Sequence, residues 1–178
     1  MMSTRSDLFA SAEILLRTKG YAAFSYADLA EEIGIKKASI HHHFPIKEGM
    51  AIAIVESYLF RFQSQLGRIN VENASVVDRL NAFAIMAAKS SESALLPLCG
   101  ALAAELLALP DSLKQMTRDF FEIHLNWLQE NILKGQEAGE LKADLDCVRV
   151  ARLILNTLEG GSFVSWAMNH NYEQFFWF

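Results

Sequence analysis

The sequence predicts an all-α fold with a three-helix head at the N-terminus, residues 1–48, and a larger helical body, residues 49–178. Apolar residues recur three and four positions apart along most of the chain, which is the period of an amphipathic helix. No segment alternates convincingly between apolar and polar residues as a half-buried strand would. The chain has three prolines, of which Pro45 and Pro110 mark plausible breaks between helices.

The head begins with a helix predicted from about Ser6 to Lys19, which Gly20 terminates. Ser25 begins a second helix, because its hydroxyl can cap a backbone N–H while the Asp28 carboxylate bonds back to the cap residue. Gly34 ends this helix where the chain turns sharply, a position that favours a residue without Cβ. The residues that we expect in the core of the head are Leu8, Phe9, Ala12, Leu15, Leu16, Phe24, Leu29, Ala30 and Ile33.

A third helix is predicted from Lys36 to Phe44. Its apolar residues, Ile40 and Phe44, are four apart, so the rest of its surface is short-chained, cationic and hydrogen-bonding. Pro45 ends it, and Lys47 stands at the start of a fourth helix whose free backbone N–H groups suit a phosphate. Two short helices joined by a tight turn and followed by another form the helix-turn-helix that docks on DNA.

Four segments of this run resemble the DNA-binding signature of the TetR family of transcriptional regulators. They are Ser25, LAEEIGI from Leu29, ASIHHHF from Ala38 and PIKEGM from Pro45. The resemblance covers roughly the first 50 residues. It implies that the helix after the turn lies in the major groove and that the start of the following helix contacts the DNA backbone.

By position, the resemblance assigns base contacts to Lys37, Ala38 and His41. It assigns phosphate contacts to Ser25, Tyr26, Ser39, His42, His43 and Lys47. Lys36 completes the DNA-binding set, because it belongs to the cluster of positive charge that follows the turn.

The helix after the turn departs from the family pattern. The family commonly has Ser or Thr where Lys36 stands and Gly where Ala38 stands, so the cap is weaker here and the backbone is stiffer. It commonly has Tyr or another aromatic residue where His41 and His42 stand. Imidazole keeps a flat ring that can donate to phosphate or to a purine edge, but the contact then depends on protonation.

The three consecutive histidines, His41 to His43, do not predict a metal site, although imidazole binds zinc, copper and nickel. Successive helical residues are about 100° apart, so three neighbours fan over roughly 200° and cannot converge on one ion. We predict no metal and no cofactor. For the histidines themselves, an alternative to DNA contact is that His43 packs locally while the other two face water.

The net charge of −5 arises outside the head. Through Met50 there are six Lys plus Arg and six Asp plus Glu, which leaves ten and fifteen for the rest of the chain. Lys36, Lys37 and Lys47 cluster after the turn, and local charge is what meets phosphates. A composition of 52% hydrophobic and 21% charged residues suits a globular chain with a sizeable core.

Neither a membrane anchor nor a leader sequence is predicted. Charged residues interrupt the first twenty positions, and the strongest apolar run, Ala94 to Leu109, contains Pro97 and Glu105 and is too short to span a bilayer. Cys99 and Cys147 form no C-x-x-C pair, so each is most simply a small buried hydrophobe, with a redox pair as the alternative. We expect a cytoplasmic protein.

The body is predicted to be entirely helical. A linking helix from about Lys47 to Arg68 joins it to the head, so that a shift of the body changes the spacing of two heads. The other predicted helices run roughly over Val76–Ser90, Leu95–Leu109, Ser112–Glu137 and Leu145–Asn169, with Gly139 after the third.

The last two helices predict a homodimer. The helix from Ser112 carries apolar residues on two faces, which a single interior cannot bury, and the last helix has a Gly160–Gly161 pair that permits close helix approach. TLEGGSFVSWA also resembles the last helix of the family, which implies a four-helix dimer interface. A monomeric bundle with a buried glycine pair is the alternative. The predicted interface residues are Phe120, Trp127, Leu158, Gly161 and Val164.

The resemblance also implies a small-molecule pocket in the body. The residues that we expect to line it are Phe83, Met86, Leu102, Glu105, Phe121, His124, Leu125 and Trp166. The same residues suit a plain core. Few charges converge there, which favours a largely apolar or neutral effector. The aromatic end, Tyr172 to Phe178, is expected to pack over the body or to extend the dimer contact.

Together these predictions describe a ligand-responsive repressor that binds a palindromic DNA operator as a dimer and is released by its effector. An enzyme is one competing class, but no Gly-x-Ser-x-Gly, phosphate loop or dinucleotide fingerprint occurs, and Glu122 and His124 are two apart on different helix faces. The other is a helical ligand-binding or interaction protein that has lost specific operator binding, which the departures at Ala38, His41 and His42 leave open.

Overall fold

The computed structural model describes residues 5–91 and 95–168, which form eight α-helices and one short 3₁₀ helix. No strand occurs in these two ranges, and the all-α prediction is confirmed. The 3₁₀ helix, Leu106–Ala108, follows α6. The α-helices are α1 (Arg5–Ala23), α2 (Tyr26–Ile33), α3 (Lys37–His43), α4 (Lys47–Glu72), α5 (Val76–Ser91), α6 (Leu98–Ala104), α7 (Asp111–Glu137) and α8 (Cys147–Met168).

Most helix boundaries lie within a turn of the predicted ones, and the largest difference is at α6. The predicted helix Leu95–Leu109 is wrong in extent, because α6 begins only at Leu98 and ends at Ala104. Leu96 precedes Pro97, and the residue before a proline is driven out of the helical region of backbone space. α4 runs one turn past Arg68, to Glu72. The predicted helix end at residue 169 and the aromatic segment 172–178 lie outside the described residues.

Three glycines with positive φ shape the turns. Gly34 ends α2 in the left-handed conformation, with φ 68° and ψ 32°, as predicted. Gly139 has φ +74° just after α7. Gly20 has φ 78° and ψ 169° and breaks the regular path of α1, so the predicted end of the first helix there is confirmed although a further turn continues to Ala23.

The chain divides into two compact units whose boundary differs from the predicted one at residue 48. The first unit comprises Met1–Leu59 and Leu98–Arg118, so α6 and the start of α7 belong with the head. Its core includes the fully buried side chains of Leu16, Leu29 and Ile40. At its edge the Ser112 hydroxyl donates a hydrogen bond of 2.6 Å to the Glu48 carboxylate and links the starts of α7 and α4.

The second unit comprises Phe60–Pro97 and Asp119–Phe178. Its core contains a cluster of aromatic rings, in which Phe62 stacks on His124 with ring centroids 4.0 Å apart and Phe83 stacks on Trp127 at 5.1 Å. Such pairs add about 0.5–1.5 kcal/mol each beyond the burial of apolar area. The fifth ring, Phe120, lies 4.2 Å from His124 and 5.1 Å from Phe62.

The structure also bears on the predictions that the two cysteines are small buried residues and that no helix spans a membrane. Cys99 is buried, Cys147 is half-buried, and both are free thiols. Across the described ranges, every helix is too short or too polar to cross a bilayer.

Candidate nucleic-acid interface

Helix α3 is held by one apolar anchor and presents the rest of its surface to solvent. Ile40 is fully buried, and the following Phe44 ring packs against Phe9 with centroids 5.5 Å apart. This arrangement frees the other side chains for contact with a macromolecule. The residues of the predicted DNA-binding set that are exposed here are Lys36, Lys37, Ala38, Ser39, His41, His42 and His43.

The cap of α3 is weak, as the lysine at its start predicts. Lys36 occupies the N-cap in an extended conformation, with φ −76° and ψ 136°, and its side chain makes no capping hydrogen bond. The backbone N–H of Ser39 instead donates to the Lys36 carbonyl at 2.8 Å. The start of α3 therefore exposes cationic and hydroxyl side chains.

Helix α2 is fixed by the predicted capping box. The Asp28 N–H donates to the Ser25 hydroxyl at 3.2 Å, and the Ser25 N–H donates to the Asp28 carboxylate at 3.0 Å. The Lys19 ammonium donates to the same carboxylate at 2.6 Å. This contact and the bonds from Ser25 lower the pKa of Asp28 to about 2. Since the Ser25 hydroxyl also donates to Asp28, it is engaged within the fold, and its contact with phosphate stays a prediction.

Tyr26 lies in the wrong place for its predicted role. Only 5% of the residue is exposed, its hydroxyl is buried, and burial raises its pKa to about 12. A phosphate cannot reach a hydroxyl that is enclosed in this way, so the predicted contact is corrected. The ring instead meets the His41 ring edge-on, with centroids 4.8 Å apart, and acts as a platform for a predicted base-contacting residue.

Lys47 opens α4, but its ammonium bonds to the protein. It donates to the Phe24 carbonyl at 2.8 Å and to the Ala22 carbonyl at 3.5 Å, and it lies 4.5 Å from the centre of the Tyr21 ring. Partial burial lowers the pKa of Lys47, and the negative charge of Glu105 opposes that shift. Contact between Lys47 and a phosphate stays a prediction, and the structure adds a role in holding the end of α1.

Within the described parts of the chain, no group of three or more His, Cys, Asp or Glu side chains is placed to hold a metal ion. His42 and His43 lie side by side with ring centroids 5.3 Å apart on the exposed surface of α3. Their exposed placement is compatible with the predicted contacts to the phosphates of a nucleic acid.

The residues predicted to line an effector pocket are distributed over both units. Phe83 and His124 belong to the packed aromatic cluster, and Leu102, which is fully buried, lies in the first unit. Glu105 also lies in the first unit, where its carboxylate accepts a hydrogen bond from the Ala22 N–H at 3.0 Å. That bond adds a role for Glu105 in the head, and its place in an effector pocket stays a prediction.

His124 is a neutral core histidine. Its Nδ1 lies 2.9 Å from the Phe120 carbonyl, which can only accept, so Nδ1 carries the hydrogen. Burial lowers the pKa of His124 to about 4, and the backbone hydrogen bond opposes that shift. The ring is therefore uncharged at neutral pH and cannot serve as a cationic anchor for a ligand.

The other predicted pocket residues lie in the second unit in less enclosed places. Met86 lines a groove of about 450 Å³ between α4 and α5, together with Gln65, Arg68, Ile69, Glu72, Ala82, Ile85 and Lys89. Phe121 and Leu125 are half-buried on α7, and Trp166 on α8 is 45% exposed.

The predicted dimer residues also separate into two groups. Phe120, Trp127 and Leu158 are 2%, 7% and 5% exposed, so they pack inside the protomer and offer little surface to a partner. This corrects their assignment to the interface. Gly161 is half-buried, and Val164 is 51% exposed. Leu153, which the sequence places on the same face as Val164, is 57% exposed, and Met168, which sequence analysis does not single out, is 58% exposed.

A capped helix, a left-handed glycine turn and an exposed cationic second helix with a single apolar anchor define a helix-turn-helix, the motif that docks on double-stranded DNA. Residues 8–54 match the family described as bacterial regulatory proteins, tetR family. Residues 76–172 match the family described as tetracyclin repressor-like, C-terminal domain. The chain belongs to the TetR family of transcriptional regulators.

Similar proteins agree with this assignment. The HTH-type transcriptional regulator CymR of Pseudomonas putida is 31% identical over 84 residues, which are 45% of this chain and 41% of CymR. The HTH-type transcriptional repressor DhaR of Mycobacterium sp. (strain GP1) is 25% identical over 146 residues, which are 80% of this chain and 72% of DhaR. The match thus spans only about two fifths of CymR.

Solved structures are similar over nearly the whole chain. A TetR transcriptional regulator from Legionella pneumophila has a TM-score of 0.83 and 26% identity, with 97% of this chain and 93% of that chain covered. A regulator of the TetR family from Agrobacterium tumefaciens has a TM-score of 0.88 and 25% identity, with 96% and 90% covered. Proteins of this family are regulators of transcription and not enzymes.

Proposed function

We propose that this regulator is a repressor that binds a palindromic operator as a homodimer and is released by a small, largely apolar or neutral effector. The observation that carries the proposal is α3, on which Ile40 alone is buried and the cationic and hydrogen-bonding residues face outward. The similarity to a protein named a transcriptional repressor, DhaR, supports repression as the direction of control.

The surface of α3 has the chemistry for reading a major groove. The groove admits one α-helix, and a lysine at its floor donates to the O6 and N7 acceptors of guanine. Lys37 and His41 are four positions apart and share one face of the helix, so both can reach base edges in one docking pose. Ser39, His42 and His43 flank this face and are placed for the backbone, where contacts give affinity without sequence preference.

An exposed stripe on α8 supports the homodimer. Leu153, Thr157, Gly160, Val164 and Met168 are exposed and recur at helical spacing along one face. The stripe is symmetric about the Gly160–Gly161 bond, since 153 pairs with 168 and 157 with 164 at equal distances from that point. A two-fold interface requires this self-complementarity, and glycines at its centre let two helices approach closely. The heads of the two subunits can then bind two half-sites of the DNA operator, whose centres are roughly 34–36 Å apart.

The family of the second unit supports an effector site. Residues 76–172 match the tetracyclin repressor-like C-terminal domain. Few charges occur among the predicted lining residues, which favours an effector with a mostly apolar surface and a few hydrogen-bonding groups. Within the described residues, five side-chain atoms of the second unit are buried without a hydrogen-bond partner, and they belong to α4, α7 and α8. The atoms are Asn70 Oδ1, Trp127 Nε1, Asn131 Oδ1, Glu159 Oε2 and Ser165 Oγ.

Release follows from differential affinity. The effector shifts the equilibrium between two arrangements of the dimer only as far as it binds one of them more tightly than the other. Effector and operator each weaken the binding of the other by the same coupling free energy. α4 and α7 each contribute residues to both compact units, so a displacement of either helix in the second unit continues into the first.

Lys37→Ala and His41→Ala are expected to change base preference. Discrimination against an operator with one changed base pair should fall by about 1–3 kcal/mol at the contacted position. Lys47→Ala is expected to weaken binding to all sequences alike, because its ammonium holds the backbone that leads into α2. The measurement is competition among single-base operator variants, with Lys142→Ala, an exposed cation between α7 and α8, as the control. Unchanged relative affinities in the Lys37 and His41 variants would show that α3 is not the recognition helix.

A panel of apolar and neutral small molecules tests the effector proposal. A true effector is expected to raise the unfolding temperature of the free protein and to lower its operator affinity at the same concentration. Compounds that raise the unfolding temperature while operator affinity stays constant would contradict allosteric release.

A further inference from the structure

In the corner between α1 and α2, residues 20–24, Gly20 has no side chain and leaves space beside its Cα. Gly20 has φ 78° and ψ 169°, a region of backbone space that is essentially restricted to glycine. A Cβ built on Gly20 would lie 2.0 Å from Oε1 of Glu105. The Glu105 carboxylate therefore fills the space that any other residue at position 20 would need.

Glu105 also bonds to the corner. Its Oε2 accepts a hydrogen bond of 3.0 Å from the backbone N–H of Ala22, which is 83 positions away in the sequence. Glu105 stands between α6 and the 3₁₀ helix, outside the helix-turn-helix. One carboxylate thus lies beside Gly20, whose backbone conformation already selects glycine, and also accepts the bond from the Ala22 N–H.

The Lys47 ammonium holds the corner through the carbonyls. It donates to the carbonyls of Ala22 and Phe24, and its positive charge is favoured by the negative charge of Glu105. The N–H and the C=O of Ala22 are therefore bonded to side chains of opposite charge. The next residue, Ser25, is the N-cap of α2, so the geometry of the corner passes directly into the helix-turn-helix.

We propose that Glu105 is a positioning residue for DNA binding, whose carboxylate orients the helix-turn-helix by holding the α1–α2 corner without touching DNA. This inference rests on the proposed operator binding. It gives Glu105 a role in the head in addition to the place in an effector pocket that the sequence predicts.

Three variants of the full-length protein test it. Glu105→Ala, which removes the acceptor and the charge, is expected to weaken operator binding about threefold to tenfold, which is the net size of one ordinary hydrogen bond. Glu105→Gln keeps an acceptor for Ala22 and loses the charge, so its loss is expected to be smaller. Glu56→Gln removes the same charge from an exposed position on α4 and is expected to bind as the native protein does. Affinities are compared at a temperature where every variant is fully folded.

Amide hydrogen exchange separates positioning from operator binding itself. The Ala22 amide is expected to lose protection in Glu105→Ala and to keep it in Glu105→Gln. Gly20→Ala is expected to weaken binding, and by less in the Glu105→Ala background, because the clash with Oε1 is then gone. Native Ala22 protection in Glu105→Ala overturns the proposal, as does lost protection with native operator affinity. If the native protein binds no operator, the proposed function fails, and Ala22 exchange still decides whether Glu105 holds the corner.

Discussion

Val164→Arg is expected to convert the protein to a monomer of 20.0 kDa and to lower operator affinity at least a hundredfold. Val164 is 51% exposed on the symmetric stripe of α8, where it faces Thr157 of the partner subunit in the proposed dimer. Because the interface is two-fold symmetric, each subunit contributes one arginine to it. Burying these unpaired charges in an apolar contact destabilises the dimer. Without the dimer, two half-sites are bound independently and the gain from linking them is lost.

Light scattering after size exclusion measures the mass, and anisotropy of labelled operator measures the affinity. Leu107→Arg is the matched control, since Leu107 is 96% exposed on the 3₁₀ helix and the substitution is the same in kind. It is expected to leave mass and affinity unchanged. A dimeric Val164→Arg protein with native operator affinity would contradict an interface centred on Gly160–Gly161.

Glu159→Gln is expected to raise the free energy of unfolding by about 3 kcal/mol at pH 8.5 and by under about 1 kcal/mol at pH 5. Burial raises the pKa of Glu159 from its ordinary 4.5 to about 7, and its Oε2 is buried without a hydrogen-bond partner within the described residues. The native state therefore holds a proton that the unfolded chain releases near pH 4.5. Stability is lost as the pH rises from 4.5 through 7, and glutamine, which has no charge, avoids this loss.

Denaturant unfolding at several pH values and one fixed protein concentration measures the difference. Glu122→Gln removes a carboxylate from the exposed side of α7 and is the matched control. His124, whose pKa is lowered to about 4, destabilises the native state in acid, but it does so equally in both proteins. An equal gain at pH 5 and pH 8.5 would show that Glu159 does not titrate between these values.

The helix-turn-helix was predictable because the interactions that shape it are local. The capping box joins Ser25 to Asp28, three positions apart, and the left-handed turn needs only Gly34. Ile40 could be identified as the anchor of α3 from apolar spacing alone, and it is fully buried. Propensity, capping and periodicity agree in this segment, which is the condition under which sequence patterns determine structure.

The contacts that the sequence could not predict are long-range. Ala22 and Glu105 are 83 positions apart, and no sequence pattern indicates that the carboxylate that follows α6 lies beside Gly20. Likewise, α7 has apolar residues on two faces, and periodicity cannot tell which face is covered within the protomer. Phe120 and Trp127 were assigned to a partner, yet they pack against Phe62 and Phe83 of the same chain.

Operator binding as a function of salt tests the central claim most directly. The native protein is titrated onto DNA from around its own gene and onto random DNA, between roughly 50 and 200 mM salt. Specific binding at least about 10³-fold tighter than binding to random DNA is expected, with affinity falling by a slope of about −0.9 per neutralised phosphate. Equal weak binding to every DNA would contradict a repressor and would identify a helical protein that has kept the head and lost its operator.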